Sequence, residues 1–138
     1  MYAIKAGKEY IKSADFGYVS LSATARTFKT RAAAETECKA ILARIDQYIA
    51  SYTKYRDDEM SKLAKAQKTI AAKEALLKEL YLLPFGEVER KVKKARSEIE
   101  SASYYVTNNS IRSYNQSITR LTRIRANEPK VVEIVEKG

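Results

Sequence analysis

One stretch decides the fold of this chain, Thr30 to Leu83, which reads TRAAAETECKAILARIDQYIASYTKYRDDEMSKLAKAQKTIAAKEALLKELYLL. It contains neither glycine nor proline, and apolar side chains recur along it at steps of three and four residues. Because this is the period of one helix face, the pattern predicts a single very long helix.

Taken every seventh residue, this helix carries two apolar rows that are interrupted near their middle. The rows are Leu42, Ile49, Arg56, Leu63, Ile70, Leu77 and Cys38, Ile45, Tyr52, Glu59, Ala66, Lys73, Leu80. A straight helix of roughly fifty residues is about 75 Å long, whereas a compact domain of this size has a radius of gyration of about 14 Å. Either the helix breaks at the charged run Arg56 to Glu59, or another copy of the chain covers the rows. We favour a homo-oligomer, a dimer or higher, formed through Ile45, Ile49 and Tyr52.

The residues before the long helix predict strands. Tyr2 to Ala6, Glu9 to Ser13 and Tyr18 to Ser22 are rich in Tyr, Ile and Val and are separated by turn residues, Gly7-Lys8 and Ala14 to Gly17. This spacing predicts a three-stranded antiparallel meander. Thr30 is a suitable N-cap for a helix that begins at Arg31.

The residues after the long helix predict two more helices and a strand. The long helix should end at about Leu80 or Tyr81, because Pro84 and Gly86 force a turn. A second apolar stripe then runs from Val88 to Val106, which predicts an antiparallel helical hairpin. The stripe changes phase at Thr107 to Ser110, so we expect a break there and a third helix to Ala126. The valine-rich residues from Lys130 to Glu136 predict a strand that joins the meander of this copy or of a neighbour.

The predicted fold is therefore α+β, with a small antiparallel sheet built from both chain ends and attached to a long antiparallel helical hairpin. We expect one domain, 1–138. Its parts are a strand meander (1–29), the long helix (30–83), the second and third helices (87–126) and the C-terminal strand (130–136).

The sequence lacks the residues on which most catalytic chemistry depends. It contains no histidine, no tryptophan and one cysteine, Cys38, which we expect to be a buried structural thiol. Ser/His/Asp and Cys/His catalysis and Cys/His metal sites are excluded, and the four glycines are too scattered for a phosphate loop. Asp57, Asp58 and Glu59 point around a wide arc of the helix, which favours a solvated face over a cation site. We expect a binding protein and not an enzyme, with no catalytic residue, metal or cofactor.

The beginning of the chain predicts an intracellular protein. No signal-peptide pattern follows Met1, and no apolar run approaches the roughly 18 residues that a membrane span requires. We expect a protein of the cytoplasm with no membrane partner.

The distribution of charge singles out the second half of the chain. The formal net charge is +9, and Pro84 to Ala126 carries nine basic and four acidic residues. The basic run Arg90 to Arg96 is flanked by glutamates and is typical of a solvated helix face. Ser101 to Asn127 differs, because its four arginines come with no carboxylate and no lysine. This region is the candidate anion site.

Four polar residues of this region share one face of the predicted third helix. At 100° per residue, Arg112, Gln116, Thr119 and Arg123 fall within about 60° of one another. Arginine forks suit phosphate, and amides and aromatic rings suit a base or a ribose. A helix start at Asn109 or Ser110 would add free backbone amides. The candidate ligand-binding residues are Phe85, Tyr105, Asn108, Asn109, Arg112, Gln116 and Arg123.

A structural alternative remains open at this point. The arginines of the third helix could instead reach carboxylates on a neighbouring subunit, as is common in helical oligomers. Since a single helix is convex, a binding pocket would have to form between chains.

The order of segments also resembles a known family. The chain opens with segments found in many small bacteriophage accessory proteins: Met1-Tyr2-Ala3-Ile4-Lys5, Glu9-Tyr10-Ile11-Lys12, Tyr18-Val19-Ser20-Leu21 and Ala25-Arg26-Thr27-Phe28-Lys29-Thr30. With two long helices, a turn that carries Phe85 and an Arg/Asn-rich C-terminal region, the chain is similar in plan to the first Thoeris anti-defence family. The resemblance implies a phage-encoded sponge that assembles as an oligomer and binds cyclic ADP-ribose-type immune signals, and in some members cyclic oligonucleotides, between subunits.

The expected function is therefore sequestration of a small cyclic nucleotide immune signal, such as a cyclic ADP-ribose isomer, in the cytoplasm of an infected bacterial host. Two alternatives remain. A basic helical oligomer could bind nucleic acid along Arg90 to Arg96 and Arg112 to Arg125. The protein could also inhibit a host complex by protein–protein contact.

Overall fold

The computed structural model of the chain describes residues 1–83 and 88–135. The elements, in chain order, are β1 (Tyr2–Ala6), β2 (Glu9–Asp15), β3 (Tyr18–Ser22), α1 (Arg31–Leu80), α2 (Val88–Thr107), α3 (Ile111–Ala126) and β4 (Lys130–Glu133). The fold is α+β, as the sequence predicts. Its parts form two compact units, Met1–Lys54 with the chain from Ser113 onward, and Tyr55–Arg112.

The sheet of the first unit combines both ends of the chain, in the order β3-β2-β1-β4. β4 pairs antiparallel with β1, with Ala3 opposite Val132 and Ile4 opposite Val131. The C-terminal strand therefore joins the meander of its own chain, which settles the alternative that the sequence leaves open. The strand ends at Glu133 and so is shorter than predicted, while Glu136 lies outside the described residues.

The turn between β2 and β3 is tighter than the sequence predicts. Ala14 and Asp15 belong to β2, and only Phe16 and Gly17 connect the two strands. Both residues have positive φ, 53° and 78°, which matches the mirror-image two-residue turns that join twisted antiparallel strands. The prediction placed the turn too early because alanine and aspartate are poor strand formers.

The long helix α1 runs unbroken for 50 residues. Its start is confirmed, because the Thr30 hydroxyl oxygen accepts a hydrogen bond from the Ala33 amide at 3.2 Å. The single long helix is therefore confirmed, and the alternative of a break at the charged run is wrong. Arg56 pairs with Asp57 at 3.2 Å and Lys62 with Glu59 at 3.8 Å, so three of the four charged side chains of the run have ion-pair partners while the backbone remains helical.

The core of the first unit lies between the sheet, the first part of α1 and α3. Its largest fully buried side chains are Ile4, Ile11, Val19, Ile41, Ile45 and Leu121. Ile49 and Tyr52 pack against this cluster. The seam predicted to join two copies is therefore covered by the chain itself, and Ile45, with no exposed surface, is unavailable to a neighbour. The predicted interface at Ile45, Ile49 and Tyr52 is wrong.

Cys38 lies in the same core, and the prediction of a buried thiol is confirmed. Its sulfur donates a hydrogen bond to the Pro129 carbonyl oxygen at 3.6 Å. Burial raises the pKa of the Cys38 thiol, and the positive charge of Arg125 opposes that effect only in part. The neutral thiol is the stable form here.

In the second unit, α2 lies antiparallel to the later part of α1, so the predicted helical hairpin is confirmed. Ala95 and Leu80 are its buried apolar residues. Lys73 and Glu98 form an ion pair across the two helices at 2.8 Å, and the hydrogen bond from Lys73 lowers the pKa of Glu98. The predicted turn at Pro84 and Gly86 lies outside the described residues.

Candidate anion-binding site

α3 carries the polar face that the sequence predicts. Gln116, Thr119 and Arg123 are exposed on one side of the helix, while Leu121 is buried on the other. Arg112, in the first turn of α3, is also exposed. The helical period of the sequence therefore identified the solvent-facing side correctly.

Two arginines of α3 have partners within the first unit. Arg120 donates to the Val19 carbonyl oxygen at 2.6 Å, and its guanidinium carbon lies 4.5 Å from the centre of the Tyr18 ring. Arg125 donates to the Asp46 carboxylate at 3.1 Å. These two side chains hold α3 against the sheet and against α1. Arg125 does reach a carboxylate, as the structural alternative proposed, but that carboxylate belongs to its own chain.

The other two arginines of α3 are different. Neither Arg112 nor Arg123 makes a side-chain hydrogen bond or ion pair with any residue in 1–83 or 88–135. The amide of Gln116 likewise has no hydrogen-bond partner in this part of the chain. α3 contains no acidic residue, so no carboxylate of its own helix competes for these donors.

Asn108 and Asn109 use their side chains at the junction between α2 and α3. The Asn108 amide donates to the Tyr104 carbonyl oxygen at 2.9 Å. The Asn109 amide nitrogen donates to Val106 O at 2.9 Å, and its oxygen accepts from the Ile111 amide at 3.1 Å. The expectation of free backbone amides at the start of α3 is wrong for Ile111, because Asn109 caps it.

Tyr105 is held by Glu59. Its hydroxyl donates to the Glu59 carboxylate at 2.7 Å. Partial burial, followed by this hydrogen bond and the negative charge of Glu59, raises the pKa of Tyr105 to about 12. The Tyr105 hydroxyl is therefore used in a contact between α1 and α2.

The remaining candidate residue, Phe85, lies outside the described residues.

An open cleft of about 220 Å³ lies beside the polar face, within the first unit. It is lined by Gly17, Tyr18, Tyr52, Ser113, Gln116, Ser117, Arg120 and Leu121. Gln116 therefore belongs to both the polar face and the cleft. Sequence reasoning missed Tyr18 and the position of Arg120, because the two lie about a hundred residues apart and only the packing of α3 on the β3 edge brings them together.

One wall of the cleft is fixed by the hairpin turn. The Tyr52 hydroxyl donates to the Gly17 carbonyl oxygen at 3.1 Å. A Cβ atom at Gly17 would lie 2.5 Å from that hydroxyl, closer than van der Waals contact permits. Tyr52 also packs against Tyr114, with ring centres 6.2 Å apart. The turn, α1 and α3 are therefore joined through one tyrosine.

The basic run of α2 is exposed, as predicted. Arg90, Lys91, Lys93, Lys94 and Arg96 are all exposed to solvent. Arg96 donates to the Tyr81 hydroxyl and lies over its ring. The run therefore gives α2 a positively charged, solvent-exposed surface. Of its two arginines, Arg96 already has a partner in Tyr81.

The acidic run of α1 does not form a metal site. Among the described residues, no group of three or more possible metal-ligating side chains comes together.

None of the helices in the described ranges combines the length and the apolar character needed to cross a membrane.

Within the first unit, the candidate site therefore consists of Arg123 and Gln116, which have no side-chain partner among the described residues, and of the cleft that Gln116 shares with Tyr18 and Tyr52. Comparison of the chain with family models, with curated proteins and with solved structures finds no match.

Proposed function

We propose that this protein binds a small anionic nucleotide through the exposed face of α3 and sequesters it without cleaving it. The observation that carries this function is the contrast among the four arginines of α3. Arg120 and Arg125 are engaged, whereas Arg123 and Arg112 are exposed and have no side-chain partner among the described residues. Guanidinium groups with unused donors on a helix that lacks carboxylates favour phosphate.

Helix geometry makes Arg123 the stronger candidate of the two. Arg112 and Arg123 are eleven residues apart, about 16 Å along the axis, too far for one phosphate to bridge. Side chains on a helix lean toward its N-terminus. Arg123 therefore extends back toward Gln116, while Arg112 extends away from it. We place the principal phosphate contact at Arg123 and treat Arg112 as a separate contact.

Binding without chemistry is the activity that the composition favours. The chain has no histidine, the side chain that most often serves as general acid or base near neutral pH. Its single cysteine is buried with a raised pKa, which disfavours a nucleophilic thiolate. Ligand that is released by denaturing the complex should therefore be chemically unchanged.

The ligand class follows from the resemblance stated above. A cyclic ADP-ribose isomer or a cyclic oligonucleotide combines phosphates with bases and riboses, and an arginine and amide face suits both. The biological role that we propose is anti-defence, in which a phage protein removes an immune signal in the host cytoplasm. Because the face of one helix is convex, a second copy of the chain would have to enclose such a ligand, and its interface must lie away from Ile45.

A thermal-shift screen tests this function. Cyclic ADP-ribose isomers and cyclic di- and trinucleotides are added to the parent and to Arg123→Ala, Arg112→Ala and Lys39→Ala. Charge-assisted hydrogen bonds contribute roughly 1.5 to 3 kcal/mol, so loss of Arg123 should weaken binding by about tenfold to a hundredfold. Lys39→Ala removes the same charge from an exposed position on α1 and should behave as the parent. The function is wrong if no nucleotide raises the melting temperature, or if Arg123→Ala responds as the control does.

A second function, binding of DNA or RNA, is favoured by one observation. The exposed basic run of α2 places five cations within seven residues, and such runs track phosphate backbones. Salt separates the two functions. Binding of a polyanion weakens steeply as salt rises and requires the α2 cations, whereas binding of a small nucleotide depends on Arg123 and ignores long duplex.

A further inference from the structure

The cleft beside Gln116 is lined by two tyrosines, Tyr18 and Tyr52, as well as by polar side chains. Phosphate binding by the arginines of α3 gives no role to these aromatic rings. We propose that it is a subsite for one planar purine base, adenine, of the bound nucleotide. This inference rests on the proposed function for the phosphate, but the base subsite is argued from contacts of its own within the first unit.

The size of the cleft limits what it can hold. Its volume is about 220 Å³, below the roughly 300 to 1,000 Å³ of pockets that enclose a whole drug-sized ligand. One ring system fits such a space, and a complete cyclic nucleotide does not. The phosphate and ribose would therefore remain outside the cleft, on the side where Gln116 meets the polar face of α3.

Tyr18 supplies a stacking surface. The guanidinium group of Arg120 covers its ring at 4.5 Å and is itself fixed by its hydrogen bond to Val19. The tyrosine nevertheless remains 60% exposed, so the contact with Arg120 leaves much of the side chain accessible to a ligand. Base stacking on an aromatic side chain contributes roughly 1 to 3 kcal/mol. An exposed ring that is held in position by a fixed cation is suited to this contact.

Gln116 supplies the polar group that can read a base. Its amide has one acceptor and two donor hydrogens, and it has no hydrogen-bond partner among the described residues. A glutamine amide can pair with adenine through the N6 donor and the N7 acceptor at the same time. Ser113 and Ser117 line the same cleft, and a serine hydroxyl can serve as a further donor or acceptor.

The cleft is held in shape before any ligand arrives. The hydrogen bond from Tyr52 to Gly17 ties the hairpin turn to α1, and the hydrogen bond from Arg120 to Val19 ties β3 to α3. A preformed cleft loses little conformational entropy on binding. The position of Tyr18, directly after Gly17, is fixed by both contacts.

Calorimetric titration with AMP, adenosine and ribose 5-phosphate tests the subsite. The proteins are the parent, Tyr18→Thr, Tyr10→Thr and Arg123→Ala. Threonine preserves strand propensity while it removes the ring. Tyr10 is a matched control, because it lies in the same sheet with the cation of Lys5 5.5 Å from its ring but does not line the cleft. Tyr18→Thr should weaken AMP and adenosine by about tenfold and leave ribose 5-phosphate unchanged.

The two proposals fail in different ways. Arg123→Ala should weaken AMP and ribose 5-phosphate but not adenosine, and Tyr10→Thr should match the parent throughout. If the parent binds AMP no more tightly than ribose 5-phosphate, or if Tyr18→Thr binds AMP as the parent does, the base subsite is overturned while the phosphate site stands. If adenosine binding depends on Tyr18 but Arg123→Ala changes nothing, the phosphate site is overturned and the subsite stands. If none of the three probes binds, both proposals are overturned.

Discussion

Gly17 lies where a two-residue turn meets a tyrosine hydroxyl. Its φ of 78° falls in the left-handed region, which costs a residue with a Cβ about 1 kcal/mol or more. The neighbouring Tyr52 hydroxyl adds a second constraint, because it bonds to the Gly17 carbonyl and occupies the space of a Cβ. The position therefore demands glycine for two independent reasons.

We expect Gly17→Ala to lower the free energy of unfolding by about 1 to 3 kcal/mol, measured by urea denaturation. Gly7→Ala is the matched control. Gly7 also has positive φ, 64°, but its Cβ would meet the Asn127 side chain at 3.2 Å, where a small shift suffices. The interpretation is contradicted if Gly7→Ala costs as much as Gly17→Ala.

At the residue scale, the sequence identified the side of α3 that faces solvent, because the helical period is a local property. It could not identify which arginines of that helix are engaged. Arg120 finds Tyr18 and Val19, and Arg125 finds Asp46, through contacts between residues far apart in the chain. Asn109 shows the same limit, since its amide fits either a ligand or a cap, and only the backbone around it decides.

At the scale of elements, Asn109 joins two helices. Its side chain donates to the last turn of α2 and accepts from the first turn of α3. Helix ends leave backbone groups without partners, and one asparagine here satisfies a group on each side of the junction.

We expect Asn109→Ala to destabilise the protein by about 1 to 2 kcal/mol in thermal or urea unfolding. Asn108→Ala, which loses only one hydrogen bond to the preceding turn, should cost less. Nucleotide binding by folded Asn109→Ala should equal that of the parent, because the amide is used within the chain. A loss of nucleotide affinity without a loss of stability would return Asn109 to the ligand site.

The long helix shows why a break at its charged run was a reasonable alternative to a continuous helix. Four charged residues in succession favour a break only when their charges are unpaired, and here Glu59 accepts from Tyr105 while Arg56 pairs with Asp57. The helix itself was predicted from the apolar period in a stretch without glycine or proline, its N-cap from Thr30, and its end from Pro84 and Gly86. The partners that cover it did not, because the same apolar stripe can face a sheet, another helix or another copy.

At the scale of the whole molecule, the seam around Ile45 is part of a core and not an interface. Ile45 has no exposed surface, and Ile49 and Tyr52 pack beside it. The length of the helix led to the expectation that another copy covers this stripe, whereas the sheet and α3 of the first unit cover it.

We expect Ile45→Ala to lower the free energy of unfolding by about 2 to 5 kcal/mol, because it leaves a cavity in the core. Leu63→Ala, at a half-buried position of the same predicted rows, should cost less. Light scattering should give the same mass for parent and folded variant, whether the protein is a monomer or an oligomer. If Ile45→Ala keeps the stability of the parent but dissociates into smaller species, Ile45 lies in an interface between copies and this interpretation is contradicted.

The central claim is that Arg123 and Arg112, which have no side-chain partner among the described residues, each bind phosphate. NMR of arginine side chains tests this claim most directly. Signals of the Nε–Hε groups are recorded while AMP is added, at low and at moderate salt. The signal of Arg123 should shift along a saturable curve that persists at moderate salt, with a separate response from Arg112, while the signal of Arg125, paired with Asp46, should stay in place. Equal small shifts of all arginines that vanish with salt, or no shift of Arg123, would contradict the claim.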